Sequence, residues 1–173
     1  LALRRPLDDE DVAFYVGDAP ATNIPGDTVA KAVTRLLSAP RFLYHVESGT
    51  TAAGANDIFA LDAWELASRL SYHFWGTMPD AALREAASSG ALLEPARYEA
   101  EVERLFSDTR STTTLTSFFT QWFWPLIELP ALDSRLRDPV FKAFAGANTP
   151  SSELRGRMVQ EVIDAATFIA KSG

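Results

Sequence analysis

Apolar residues recur at the helical period along almost the whole chain, and nowhere does an alternating run compete with them. That periodicity confines the chain to an all-α architecture, a helical bundle of about seven or eight helices with no substantial sheet. The cleanest example follows Glu94 and Pro95, where Tyr98, Val102, Leu105 and Phe106 fall at i, i+4, i+7 and i+8 while Glu99, Glu101 and Glu103 mostly line the wet side. Asp62 with Glu65 three residues on forms an Asp version of the capping box, opening a helix with Trp64, Ala67, Leu70 and Phe74 on one face. Gly76 closes that helix. Burying Trp64, Leu70, Phe74, Leu105, Phe118 and Trp122 against one another is the core this pattern predicts.

The remaining elements follow from the same signals. Leu7 to Val16 starts on four consecutive acids, which suit the positive end of a helix, and Gly17 stops it. Asp27 is placed to cap a helix through Val29, Val33, Leu36 and Leu37, and Pro40 separates it from a short helix over Arg41 to Glu47. Thr77 to Asp80 offers a cap and an early proline for a helix over Pro79 to Ser88, ended by Gly90. Ser111 to Trp124 is read as helix on its length and on Leu115, Phe118, Phe119, Trp122 and Leu126, although three consecutive threonines favour strand locally. Leu129 to Pro139 reads as an irregular connection before a short helix around Phe141 and Phe144. Thr149 and Pro150 are expected to cap a last helix carrying Leu154, Met158, Val162, Ala165 and Ile169. The small polar residues at 49–56 read as a linker, dividing a helical tail of an upstream domain, 1–48, from a helical domain, 57–173.

Composition narrows the function. Twenty-three carboxylates against sixteen Lys and Arg give a net charge of -7, which opposes nucleic-acid binding. The longest apolar run, Trp122 to Ile127, falls far short of the ~20 residues that span a bilayer, so no transmembrane segment is expected, while a peripheral membrane contact stays open. The absence of cysteine removes disulfides, thiolate zinc sites and the attachment of c-type haem from this chain.

No self-sufficient catalytic motif is present. The two imidazoles, His45 and His73, stand in no metal-binding spacing, and no metal or cofactor site is expected within the chain. His73 is the better candidate for acid or base work, since Tyr72, His73, Phe74 and Trp75 close a helix whose dipole favours a protonated imidazole. A catalytic site, if there is one, is expected around Tyr72 and His73, with His45 the remaining candidate. Glu161 and Asp164 share a face with Arg157 and read as a solvated ion-pair ladder. The densest signal is the aromatic stretch Phe118 to Ile127, read either as a helix buried all round or as a docking face that includes Phe123 and Trp124.

Several short motifs occur in a set order: Arg4-Arg-Pro-Leu7 with Asp9-Glu10, Ser38-Ala-Pro-Arg-Phe-Leu-Tyr44 with Glu47, and Leu66-Ala-Ser-Arg-Leu-Ser-Tyr72 with Trp75 and Met78-Pro-Asp80. Gly90, Leu92, Val102, Arg104-Leu105, Asp108, Arg110 and Gln121-Trp122 continue the series. In this order the chain resembles adjoining domains of unknown function from large secreted planctomycete and myxobacterial multidomain proteins. The resemblance implies an exported, periplasmic or extracellular protein, often with a cytochrome c-type domain upstream, so that any c-type haem lies elsewhere in the full-length protein. It implies a helical interaction or scaffold module whose partners are downstream domains or other protein subunits. The alternative is a domain of an exported oxidative or hydrolytic enzyme with its site near Tyr72 and His73. The chain, which opens at Leu1 without Met, is expected to be a piece truncated relative to that protein. On the last helix Val159, Ile163 and Phe168 widen the apolar stripe beyond what one neighbour covers, marking them as interface candidates.

Overall fold

The computed structural model describes residues 2–17, 22, 24–49, 51–52 and 59–172. Its fold is all-α. In order come α1 (Asp9–Tyr15), α2 (Gly26–Leu37), α3 (Pro40–Leu43), the strands β1 (Thr51–Ala52) and β2 (Phe59–Ala60), α4 (Ala63–Trp75) and α5 (Ala81–Ser88). A 3-10 turn at Ala91–Leu93 leads into α6 (Pro95–Ser107), α7 (Thr109–Trp122) and α8 (Trp124–Ile127). A second such turn, Leu132–Arg137, precedes α9 (Pro139–Ala145) and α10 (Leu154–Ser172). The only sheet among the described residues is the antiparallel pair in which Thr51 faces Ala60 and Ala52 faces Phe59. Most of the segment expected as a linker, 49–56, lies outside the described residues.

The chain forms two compact units, Leu1–Glu103 and Arg104–Gly173. The first is built on α4, which opens on the reciprocal Asp62 and Glu65 capping box and closes on Gly76 in the left-handed conformation. Its inner face carries Ala63, Ala67 and Leu70 at i, i+4 and i+7, and Trp75 follows. α5 and the first 3-10 turn pack on this face, bringing in Leu83 and Leu92, both fully buried. Each such leucine contributes ~1.5–3 kcal/mol by leaving water. Two expected core members differ: Trp64 and Phe74 are only half-buried, and Trp75 takes the inner place.

In the second unit α10 packs on α7 and α8. Phe118 and Trp122, expected in the core, are exposed, Trp122 at 65%. They stack edge to face on each other along i, i+4, with ring centroids 5.1 Å apart, while Phe119 and Phe123, one position on and about 100° round the helix, are half-buried. The last helix is rotated from expectation in the same way. Val159, Ile163 and Thr167 form its buried stripe, whereas Met158, Val162, Ala165 and Ile169 are exposed.

Helix starts also move. Asp80, Asp108 and Asp138 each accept a backbone N–H as N-caps of α5, α7 and α9. Asp27 lies inside α2, after Pro25 at the cap, and pairs with Lys31. α3 ends at Leu43, short of the expected Glu47, and α10 starts at Leu154, after Thr149 and Pro150. Arg157 pairs with Glu153, and Asp164 accepts from Gln160, in place of the expected Glu161, Asp164 and Arg157 ladder.

Candidate functional site

Two of the three candidate side chains meet. The chain leaves α3 in extended conformation at Tyr44, and the next residue, His45, sets its imidazole edge to face on the Tyr72 ring, centroids 4.1 Å apart. Tyr72 lies on α4 and is half-buried; His45 is exposed. His73, one residue on and about 100° round the helix, is exposed and packs edge to face on Phe74 at 4.9 Å. It does not join the pair.

Arg4 organises this corner. Its guanidinium lies 6.0 Å from the centre of the Tyr72 ring, within cation-π range. It donates to the carbonyls of Arg41 (2.5 Å), Phe42 (3.4 Å) and Tyr44, so it satisfies acceptors that the short α3 leaves open at its C-terminus. Arg4 is also the one non-glycine residue with positive φ, at 60°, among the described residues. Holding an L-residue there costs ~1–2 kcal/mol, which the three acceptors offset.

Glu65 is the second anchor. Beyond its capping bond to the Asp62 N–H (3.0 Å), its carboxylate accepts the N–H of Ser48 (2.7 Å) and of Gly49 (3.2 Å). Burial pushes the Glu65 carboxyl up, but those three backbone donors, with the Arg41 charge nearby, outweigh it and hold the group below its ordinary value. Glu65 is therefore an ionised structural acceptor, poorly suited to deliver a proton at neutral pH. Gly49 has φ of 67°, and a Cβ there would meet the Phe59 Cβ at 2.6 Å, so only glycine brings this N–H to the carboxylate. Alongside, Arg69 on α4 clasps Glu47 through two bonds, one of them Nε to carboxylate at 2.9 Å.

Between these anchors lies a pocket of about 60 Å³, reached by His45, Arg41 and Asp62. It has room for a few waters and falls well below the ~300 Å³ at which small-molecule sites begin. No group of three His, Cys, Asp or Glu able to hold a metal ion occurs among the described residues.

The interface candidates separate. Val159 and Ile163 are buried, Ile163 to 3% exposure, and so belong to the packing of the second unit rather than to an open face. Phe168 is exposed at 71% and Trp124 is exposed, while Phe123 caps the C-terminus of α7 half-buried. Lys171, which the sequence did not single out, donates to the Phe106 carbonyl and to Ser111 Oγ (2.7 Å) and lies over the Phe106 ring. No local spacing signals the contacts of either Lys171 or Arg4: each bond joins residues some 40 or more positions apart, and only the fold brings them together.

No helix among the described residues is long and apolar enough to cross a membrane. Residues 61–171 match the model of a family described as PSD4: Protein of unknown function (DUF1592). No curated protein and no solved structure matches the chain.

Proposed function

The chain belongs to the DUF1592 family, and from that premise we propose that it is a helical protein-interaction module of a larger exported assembly. Its partners in this reading are downstream domains or other subunits, and any c-type haem is carried elsewhere in that assembly. In this reading residues 1–48 are the tail of a neighbouring domain, here packed within the first compact unit, Leu1–Glu103, and the module itself, 57–173, runs from that unit through the second. The start of the family match at residue 61, beyond the small polar stretch, supports that division.

The observation that carries the reading is the apolar surface of the second unit. Phe168 and Ile169 are consecutive on α10 at 71% and 69% exposure, and Phe144 on α9, at 86%, and Trp122 on α7, at 65%, are open as well. Single exposed apolar residues are ordinary, and it is their number and size in this short unit that support the docking reading. In contrast, the corner around Tyr72 and His45 offers a small pocket and an ionised structural carboxylate, and His73 stands apart from it, which favours interaction over catalysis.

Photo-crosslinking tests this. A photoreactive phenylalanine at position 168 of the full-length protein in its own cells is expected to give a discrete protein adduct. Adducts with lipid alone, or none above the level seen from exposed Arg97, would overturn the reading.

A further inference from the structure

The first unit carries a second pocket, of about 170 Å³, whose lining combines apolar walls with positive charge. Its apolar lining is Trp64, from the first turn of α4, Pro6, Met78 and the buried Pro79, ahead of α5. The remaining lining residues are Arg4, Arg5 and Arg84, with no carboxylate among them. Arg5 is neutralised by Asp8 and Asp11. Arg84 donates to the Pro79 carbonyl (2.6 Å) and Arg4 to the carbonyls after α3. Such bonds fix a guanidinium in place without cancelling its charge, and among the described residues neither Arg4 nor Arg84 has a carboxylate at ion-pair distance. In a chain of net charge -7, the uncompensated positive charge sits beside an apolar slot.

We propose that this pocket docks an acidic peptide segment, which lodges one apolar side chain between Trp64 and Pro79 while its carboxylates meet Arg84 and Arg4. The volume supports a side chain over a cofactor, since sites for whole small molecules run from ~300 Å³. Prepositioned guanidinium groups beside a half-buried tryptophan supply positive charge for carboxylates together with an apolar contact. The pocket belongs to the first unit and Phe168 and Ile169 to the second, so loss of binding at one leaves the other intact.

The test is a titration of the ¹⁵N-labelled chain with the acetylated, amidated peptide Glu-Glu-Leu-Glu-Glu, followed at the Trp64 indole N–H. Saturable movement of that signal is expected, weakening as salt rises. Arg84→Gln, which keeps a donor for the Pro79 carbonyl, should weaken binding about tenfold, as should Met78→Ser at the exposed wall. If Arg84→Gln loses its helical circular dichroism, Met78→Ser decides. A stationary Trp64 signal, an equal response to Lys-Lys-Leu-Lys-Lys or to inorganic phosphate, or unchanged affinity in a folded variant would overturn the proposal.

Discussion

Glu65 is worth more to the fold than a capping residue ordinarily is, because one carboxylate serves three backbone donors from two segments. Its folded value lies below the ordinary 4.5, so between the two values the unfolded chain holds the extra proton. The stabilisation is therefore complete above about pH 4.5 and is lost as pH falls through the lower folded value. Glu65→Gln should lower stability at pH 7 by about 1–2 kcal/mol and flatten the acid limb of the stability curve, measured by urea denaturation across pH 3 to pH 7. Asp108 behaves alike at the start of α7. The Arg110 side chain foremost, and then the Arg110 N–H, bring its carboxyl down to about 2. Its support of the helix is present above about pH 4 and lost toward pH 2, and a carboxyl ¹³C titration should place its midpoint well below the ordinary value of 3.8.

At the scale of the element, α10 presents two apolar stripes one residue apart, and only one of them faces α7. Ile163→Ala should cost about 2–4 kcal/mol, whereas Val162→Ala, next in sequence, should cost under about 1 kcal/mol. Reversed magnitudes in thermal or urea unfolding would show the helix turned the other way. Trp122→Ala, a large loss if this ring were core, should leave the melting temperature nearly unchanged, given its exposure. The contrast explains what the sequence could and could not disclose. The Asp62 and Glu65 box and the Gly76 stop are decided within a few residues, so spacing alone reveals them, whereas on α6 the expected faces hold only in part: Leu105 is buried, but Tyr98 is exposed and Glu101, expected on the wet side, is buried. Which of two adjacent stripes turns inward depends on the partner helix, and both Phe118 with Trp122 and Phe119 with Phe123 satisfy the same i, i+4 spacing.

For the molecule as a whole, the apolar face of the second unit should govern association and leave folding alone. Phe168→Ser combined with Ile169→Ser should keep the circular dichroism and melting temperature of the parent while removing co-purification of the full-length protein with its partner subunits. Loss of fold in that variant would show the two side chains to be part of the core. The pairing of His45 with Tyr72 was invisible in the sequence for a different reason. The two residues stand on separate segments, and it is Arg4 that fixes the path of the chain after α3 and so brings the imidazole over the ring.

Arg4 thereby acts as a clasp on a ring of some 40 residues, running from the N-terminal segment through α1 and α2 to Tyr44. Closing a flexible ring of that size costs about 3 kcal/mol in chain entropy, comparable with what its hydrogen bonds return together with the burial of neighbouring Leu3. A clasp so balanced opens as a unit. Arg4→Lys replaces a planar fork by a point charge that cannot span three carbonyls, and it should release α1, α2 and α3 to hydrogen exchange together while α4 and α5 keep their protection.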